Sequence, residues 1–237
     1  MKISVIMPVY NEKDTILEII RRVEAADFDK EVILVDDASR DGTREMLRER
    51  YGEGSGRIKV FYHDVNQGKG AALSTGIRHA SGAYVVVQDA DLEYSPSDIK
   101  GLVEVAEKEQ APAVYGSRFK KTWKVTSFPH FFVNWALTVM TNIMFGGRLT
   151  DMETCYKLVR SDIMKAMEIE SKRFDVEPEV TAKLLRNGYR IMEVAISYDR
   201  RGYKEGKKIG WRDGIAALRA LLRYRFTPRS NPCPDNG

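Results

Sequence analysis

Four polar clusters in this chain contain residue types that could do chemistry, and each comes at or shortly after the end of an apolar run. They are Tyr10-Asn11-Glu12, Asp36-Asp37, the segment 66–70 (NQGKG) and Asp89-Ala90-Asp91. A carboxylate at the end of an apolar run costs stability unless it is solvated, paired with a base or bound to a metal. Several such groups converging on one place therefore indicate a binding site.

The acids of Asp89-Ala90-Asp91 are the clearest candidates for holding a metal ion. In an extended segment, residues two positions apart point the same way, so the two carboxylates repel each other and a cation relieves that repulsion. Mg²⁺ or Mn²⁺ prefers oxygen ligands of this kind and shares its shell readily with diphosphate oxygens. Taken alone, the motif is equally compatible with a solvated acidic loop.

The hydrophobic pattern predicts the elements that position these clusters. The predicted strands are 3–9, 31–36, 58–62 and 83–88. The predicted helices begin after Asp14 or Thr15, after Asp41, at Gly70 (ending at Ala80) and at Pro96. This alternation over residues 1–117 is typical of a parallel sheet with helices on both faces. Because the carboxyl ends of parallel strands meet at one edge, we expect the four clusters to line one crevice.

The pattern changes beyond Arg118. The predicted elements there are an aromatic-rich helix over about 128–146, strands over 155–159 and 191–197, a helix over 177–187, and a basic amphipathic helix from Ile209. No linker separates them from the first half, so we expect a single domain over 1–226, with halves 1–117 and 118–226. The tail 227–237 is rich in Pro and Asn and is predicted to be disordered.

Composition excludes several classes of protein. The 38 basic and 34 acidic residues leave a formal net charge of +4, which does not favour nucleic-acid binding. Cys155 and Cys233 are the only cysteines, which rules out a disulfide scaffold and favours a reducing compartment. The first twelve residues are too polar for a signal peptide, and the most apolar stretch, 127–147, is interrupted by one His and two Asn. A cytoplasmic protein without a membrane span is expected.

Two nucleotide-binding motifs are absent from the places where they would be informative. The segment 66–70 lacks the full phosphate-loop pattern, and no G-x-G-x-x-G follows the first strand, so a nicotinamide oxidoreductase is disfavoured. His63, His79 and His130 lack metal-ligand spacing and are expected on the surface or behind the site.

The motifs MPVYNE (7–12), VDDASRDGT (35–43), NQGKGAAL (66–73) and QDADLE (88–93) resemble, in order and spacing, those of the family 2 glycosyltransferases, whose catalytic domains have the GT-A fold. Further stretches are similar to the dolichyl-phosphate mannose synthase and polyprenyl-phosphate glucosyltransferase branch. They are DMETCYK (151–157), FDVEPEVTAKLLRNGYRIMEV (174–194) and RRGYKEGKKIGWRDG (200–214). Over residues 1–226, the resemblance implies an α/β GT-A fold with a mostly parallel Rossmann-like sheet. It makes 1–117 the nucleotide-sugar-binding half and 118–226 the acceptor half.

The resemblance also implies roles for individual residues on the donor side. The positions that hold the nucleotide base and ribose are matched by Pro8, Tyr10, Glu12 and Asp37. The nucleotide-sugar and metal motif is matched by Asp89, Ala90 and Asp91, with Glu93 as a further metal candidate where many members have Gln. A mobile loop that closes over the donor diphosphate is matched by Arg201, with Lys207 and Lys208 behind it.

On the acceptor side, Arg118 matches a basic position near the acceptor phosphate. Many members carry a second Arg soon afterwards, where this chain offers Lys120, Lys121 and Lys124, which lack the bidentate geometry of Arg. Asp151 and Glu153 are candidates for acceptor binding, and Asp151 is also a candidate catalytic group. Hydrogen bonding to neighbouring backbone is the alternative role for both acids.

The implied reaction is an inverting, Mg²⁺- or Mn²⁺-dependent transfer of a hexose from a GDP- or UDP-sugar to a polyprenyl or dolichyl phosphate. A phosphate acceptor is already an anion, whereas a hydroxyl acceptor would need Asp151 or Glu153 to take its proton. Two alternatives stay open: transfer to a glycan or small-molecule hydroxyl, and a non-catalytic sugar-nucleotide-binding module.

The helices at 128–146 and from Ile209 combine aromatic and basic residues, which predicts reversible contact with a membrane surface. Ordinary core packing is the alternative explanation of their apolar stripes. With the resemblance, the prediction is a cytoplasmic enzyme that is peripheral on the cytoplasmic face of the membrane.

Overall fold

The described residues, 1–120, 128–173, 175–199 and 211–226 of a computed structural model, build a mixed sheet with helices packed against it. The strands are β1 (Ile3–Val9), β2 (Lys30–Asp36), β3 (Gly54–Ser55), β4 (Ile58–Tyr62), β5 (Tyr84–Val87), β6 (Ala113–Ser117), β7 (Lys157–Arg160) and β8 (Ile191–Ala195). Across these ranges the strand order is β3-β4-β2-β1-β5-β7-β6-β8.

The centre of the sheet is parallel, as predicted. β1 pairs with β2 on one side and β5 on the other, and β2 pairs with β4, all in parallel register. All seven residues of β2 are buried, which requires cover on both faces and explains its continuous apolar sequence. The two-residue strand β3, antiparallel to β4, was not predicted.

The strand β7 runs antiparallel between β5 and β6, an arrangement that the hydrophobic pattern did not predict. It begins two residues later than the predicted strand at 155–159. β6 and β8 then pair in parallel at the far edge. The sheet therefore continues from residues of the first half into residues of the second without a break.

The helices follow the predicted positions closely. They are α1 (Ile16–Ala25), α2 (Thr43–Tyr51), α3 (Lys69–His79), a 3₁₀ turn (Pro96–Asp98) leading into α4 (Ile99–Glu109), α5 (Phe128–Phe145), α6 (Ser161–Ala166), α7 (Val176–Arg186) and α8 (Trp211–Phe226). The short helix α6 was not predicted. In α1, the buried residues Ile16, Ile19, Ile20 and Val23 follow the helical period, so one stripe faces the core. None of the helices within the described ranges is both long and apolar enough to cross a membrane.

Candidate active site

The carboxyl ends of β1, β2, β4 and β5 lie side by side because these strands are parallel neighbours. The loops that follow carry Tyr10, Asp37 and Asp89. Since β5 and β6 are both antiparallel to β7, β6 ends at this same edge with Arg118 after it, and β7 begins there shortly after Asp151. The predicted polar clusters therefore share one edge of the sheet, together with the predicted acceptor residues.

The loop after β1 is tied to the loop after β2 by hydrogen bonds between side chains and backbone. Asn11 has a left-handed backbone (φ 54°), which Asn tolerates better than most residues. Its N–H donates to Ser39 Oγ at 2.9 Å, and its Oδ1 accepts the Arg40 N–H at 2.8 Å. The Glu12 N–H donates to Thr43 Oγ1 at 3.0 Å. The two loops thus form a continuous rim.

The predicted nucleotide contacts on this rim differ in accessibility. The Tyr10 side chain is exposed, which leaves its ring accessible to a ligand. Pro8 is half-buried within β1. The Glu12 carboxylate accepts a hydrogen bond from the Thr15 hydroxyl at 2.9 Å, next to the start of α1. The roles of these three residues in nucleotide binding stay predictions.

The carboxylate of Asp37 is buried and surrounded by donors from the loop after β4. Its Oδ1 accepts the Gln67 N–H at 2.9 Å, and its Oδ2 accepts the Gly68 N–H at 2.7 Å. His63 Nδ1 lies 2.7 Å from Oδ1, and His63 Nε2 lies 3.0 Å from Thr75 Oγ1. Asp37 therefore organises the segment 66–70.

The neighbouring acid, Asp36, is fully buried and has a different environment. Arg44 Nε on α2 donates to its Oδ2 at 2.6 Å, and the same guanidinium donates to the backbone oxygen of His63. The Ser39 N–H also reaches Asp36 Oδ1 at 3.3 Å. Asp36 thus holds α2 against the strand ends and has no direct access to solvent.

At the end of β5, Asp89 is paired with Lys69, the first residue of α3. Lys69 Nζ lies 2.8 Å from Asp89 Oδ1 and 2.8 Å from Glu177 Oε1 on α7. Burial lowers the pKa of Lys69, but its two carboxylate partners outweigh burial and hold the pKa well above its ordinary value. Lys69 stays charged and joins α3, α7 and the loop after β5.

The metal ligands predicted from sequence were Asp89, Asp91 and Glu93. Asp91 and Glu93 are both half-buried; Asp91 Oδ1 accepts the Glu93 N–H at 3.2 Å, whereas Glu93 Oε2 accepts a hydrogen bond from the Tyr198 hydroxyl at 2.7 Å. Among the described residues, no three His, Cys, Asp or Glu side chains are grouped to hold a metal by themselves. Two carboxylates at a strand end do fit Mg²⁺ or Mn²⁺ when diphosphate oxygens and water complete the shell.

Arg118, after β6, is held by a buried carboxylate on the loop before β7. Its Nε and Nη2 each donate to Asp151 at 2.7 Å, and its backbone N–H donates to the same carboxylate at 3.0 Å. Asn134 on α5 adds a fourth hydrogen bond at 2.9 Å. Burial lowers the pKa of Arg118, but Asp151 outweighs it and the pKa stays well above its ordinary value. With this set of donors, Asp151 orients Arg118 and is poorly placed to take a proton from a substrate.

Glu153 is the acid on this side whose protonation is unusual. Burial, with the nearby charge of Glu177, raises the pKa of Glu153 to about 7. Its buried Oε1 and the buried Oε2 of Glu177 have no hydrogen-bond partner among the described residues. Lys157 below them is buried, which lowers its pKa, and its Nζ donates to the carbonyls of Met152 and Thr154 at 2.7 Å. Glu153 therefore combines a raised pKa with a buried carboxylate oxygen that has no hydrogen-bond partner among the described residues.

A cavity of about 260 Å³ lies next to the ion pair between Arg118 and Asp151. Its walls include Phe119 and Thr150, which are the chain neighbours of Arg118 and Asp151. The remaining lining residues are Phe131, Trp135, Thr138, Val139 and Leu149. The Arg118 guanidinium carbon lies 5.5 Å from the centroid of the Phe119 ring, so the guanidinium is next to one wall of this predominantly apolar cavity.

Several predicted residues lie outside the described part of the chain: Lys121, Lys124, Arg201, Lys207 and Lys208. The disordered tail predicted at 227–237 lies outside it as well. Of the remaining predicted residues, Ala90 is buried between the two acids, and Lys120 Nζ donates to the Glu193 carbonyl at 2.8 Å.

Sequence reasoning assigned no role in the site to two groups, Lys69 and Glu177. Lys69 lies in the segment 66–70, which was expected at the crevice without a role for its lysine, and Glu177 lies in the stretch 174–194, which was used only for the family resemblance. His63 proved to be nearly buried against Asp37. The only sequence feature that hints at a role for His63 is its position directly after a predicted strand. No local pattern predicts that Lys69 pairs with Glu177, because the two residues are 108 positions apart.

Comparison with known proteins identifies the family. The model of "Glycosyl transferase family 2" matches residues 4–167. An undecaprenyl-phosphate mannosyltransferase of Micrococcus luteus is 32% identical over 226 residues, which is 92% of each chain. A dolichol-phosphate mannosyltransferase of Pyrococcus furiosus is 28% identical over 89% of this chain, which spans 60% of that relative.

A solved structure agrees in fold. Glucosyl-3-phosphoglycerate synthase of Mycobacterium tuberculosis, in complex with Mn²⁺, UDP and phosphoglyceric acid, superposes with a TM-score of 0.70 at 20% identity, over 97% of this chain and 80% of that one. The family match and the likeness of fold agree with each other. The chain belongs to glycosyl transferase family 2 and is a glycosyltransferase with the GT-A fold.

Proposed function

We propose that this enzyme transfers a hexose from a GDP- or UDP-sugar to a polyprenyl phosphate, with inversion at the anomeric carbon. The observation that carries the acceptor class is Arg118, whose fork is fixed by buried Asp151 beside an apolar cavity. A phosphate with an apolar tail fits a cation next to an apolar cavity better than a polar glycan does. The names of the two relatives, both polyprenyl-type phosphate mannosyltransferases, support the same class.

On the donor side, Tyr10, Pro8, Glu12 and Asp37 hold the base and ribose in this proposal. Asp89 and Asp91, with Ala90 between them, hold Mg²⁺ or Mn²⁺ and the donor diphosphate. The metal supplies neutralisation of the charge that develops on the departing diphosphate. Arg201 and Lys207, outside the described residues, are proposed to add positive charge there when the donor is bound.

On the acceptor side, this chain's task is positioning. A phosphate monoester is already anionic near neutral pH, so attack needs no strong base. Arg118 aligns the phosphate, because its Nε and Nη2 are fixed by Asp151 while Nη1 takes no part in those bonds. Attack from the face opposite to the diphosphate gives inversion.

One observation favours a second candidate, transfer to a hydroxyl acceptor. Glu153 combines a pKa of about 7 with a buried oxygen that has no hydrogen-bond partner among the described residues. A base with a pKa near the working pH is suited to remove a hydroxyl proton. In this alternative Glu153, and not Asp151, is the base.

We also propose that the enzyme contacts the membrane surface from the cytoplasmic side. Phe132, Val133, Trp135 and Ile143 of α5 are exposed large apolar residues, as are Leu222 and Phe226 of α8. α5 and α8 contact each other, and α8 carries exposed Arg219, Arg223 and Arg225. Aromatic and basic side chains together support interfacial binding to anionic lipid.

A donor screen tests the function. GDP- and UDP-hexoses are incubated with the enzyme and Mn²⁺, with and without a polyprenyl phosphate, and nucleoside diphosphate release is measured. We expect release that requires both the metal and the lipid phosphate. Equal release with a soluble sugar acceptor, lost in Glu153→Gln, would replace the lipid acceptor by the hydroxyl acceptor. No release with any acceptor would leave only a binding module.

A further inference from the structure

The helix α7 carries a buried ion pair that holds part of the connection between α6 and α7. Glu179 is fully buried, and Lys183 follows it by one helical turn with Nζ 2.6 Å from Glu179 Oε1. Within the described part of the chain, the hydrogen bonds of these two side chains go to residues other than those predicted to bind substrate. Removing one member of a buried pair leaves the other charge uncompensated, so both members stay fixed in place and can hold the groups around them.

Both members of the pair hold the segment 167–172, which lies in the connection between α6 and α7. The Glu179 carboxylate accepts the N–H groups of Glu170 and Ser171 at 2.8 and 2.7 Å. Lys183 Nζ donates to the carbonyls of Met167 and Glu168 at 2.9 and 2.8 Å. Four backbone groups of one segment are thus fixed by a single buried pair.

The held segment packs directly against the loop that binds Asp37. The Gly70 N–H donates to the Lys172 carbonyl at 2.9 Å. A Cβ on Gly70 would overlap the Ser171 carbonyl, and a Cβ on Gly68 would overlap the Lys172 carbonyl. The two backbones therefore touch, and a shift of one segment must move the other.

The loop 66–70 in turn contacts both parts of the donor side. Gly68 donates its N–H to Asp37 at 2.7 Å, and Lys69 pairs with Asp89 at 2.8 Å. We infer that Glu179 and Lys183 are positioning residues for the donor site, acting through the segment 167–172 and the loop 66–70. This inference rests on the proposed nucleotide-sugar donor.

The test compares Glu179→Gln with Glu31→Gln. Glu31 is also a buried acid that accepts a backbone N–H, from Ser81 at 2.6 Å, but it lies near the amino ends of β1 and β2, away from the site. The Kd values for GDP and UDP are measured by calorimetry with Mn²⁺, together with donor KM, kcat and the unfolding temperature. Glu179→Gln is expected to raise the Kd and the donor KM about tenfold with kcat within about threefold, as for loss of uniform binding. Glu31→Gln should lower stability but leave both constants unchanged.

A second variant keeps the test decisive if Glu179→Gln folds poorly. Gly70→Ala introduces a Cβ that would overlap the Ser171 carbonyl, which forces the segments 66–70 and 167–172 apart. It should therefore reproduce the rise in the Kd for the nucleoside diphosphate. Combined with Glu179→Gln, it should add little to the larger single effect, because both act through one contact. Fully additive effects would contradict a shared path.

Amide hydrogen exchange separates this inference from the proposed function. Exchange at 66–70 should accelerate in Glu179→Gln and stay at the wild-type rate in Glu31→Gln. If wild-type protein binds neither GDP nor UDP, the proposed donor is wrong. If it binds one of them and Glu179→Gln binds it equally well with unchanged exchange, Glu179 and Lys183 have only a structural role and the inference is overturned.

Discussion

Lys69 on the proposed donor side and Arg118 on the proposed acceptor side are both nearly buried cations, but they are held differently. Lys69 bridges two carboxylates, Asp89 and Glu177, with one ammonium. Arg118 places two N–H groups on a single carboxylate, Asp151. An ammonium is a point charge, whereas a guanidinium is a planar fork with fixed directions.

The difference shows what each side needs. On the donor side, Lys69 places one positive charge between the two carboxylates of Asp89 and Glu177, so this trio has a formal net negative charge, which suits a site for a divalent cation. On the acceptor side, the charges of Arg118 and Asp151 cancel, and the two hydrogen bonds between them fix the orientation of the guanidinium. The donor side therefore depends on charge and the acceptor side on geometry.

The largest expected effect comes from changing charge at constant shape on the donor side. Asp91→Asn should lower kcat about 1,000-fold with little change in the unfolding temperature, since an amide loses the anionic metal ligand. Turnover is measured at saturating Mn²⁺, with Asp27→Asn on the exposed surface as the matched control. Equal turnover of Asp91→Asn and wild type would remove the metal role from Asp91.

The next effect concerns pH and stability. Because the pKa of Glu153 rises from 4.5 to about 7 on folding, the folded state holds a proton that the unfolded state releases, and stability falls as pH rises between these values. This corresponds to up to about 3 kcal/mol. Glu153→Gln should therefore gain stability relative to wild type from pH 4.5 to 7, with no further gain above it.

Urea unfolding across this pH range measures the difference. Glu49→Gln, an exposed change on α2, serves as control and should track wild type at every pH. If the stabilities of wild type and Glu153→Gln change in parallel with pH, Glu153 ionises like a surface acid. That result would also weaken the hydroxyl-acceptor alternative.

A smaller effect is expected from changing geometry at constant charge on the acceptor side. Arg118→Lys should raise the KM for polyprenyl phosphate tenfold to about a hundredfold, because Lys cannot make the two parallel hydrogen bonds. Nucleoside diphosphate Kd should stay unchanged. The control is Arg160→Lys, which alters a similar Arg–Asp fork on the exposed surface. A shifted donor Kd with a normal acceptor KM would reverse the assignment of the two sides.

The smallest effect concerns the membrane contact. Trp135→Ala combined with Arg219→Glu should reduce the fraction of protein that floats with anionic vesicles several-fold at low salt. Each basic side chain contributes only about 1 kcal/mol near such a surface, and salt screens it. Arg48→Glu on α2 is the control. Absence of flotation by wild type at low salt, with efficient glycosylation of a soluble hydroxyl acceptor, would contradict the lipid acceptor.

Local pattern was enough to predict the elements near the donor side. The continuous apolar sequence of β2, the helical spacing of Ile16 to Val23 and the acids placed directly after β5 all depend on residues close in sequence. These patterns can be recognised in a single sequence because the spacing of apolar side chains reflects which face of a helix or strand is buried. The common edge of the four clusters followed from the parallel-sheet rule.

What only the tertiary structure decided involves contacts between distant residues. The antiparallel insertion of β7 brings Asp151 and Glu153 to the donor edge, yet a four-residue strand has no pattern that gives its direction. Lys69 meets Glu177 across 108 positions, and Glu179 holds the segment 167–172, which packs against the segment 66–70. Such pairings depend on how the whole chain packs, and the protonation of Glu153 depends on burial that packing creates.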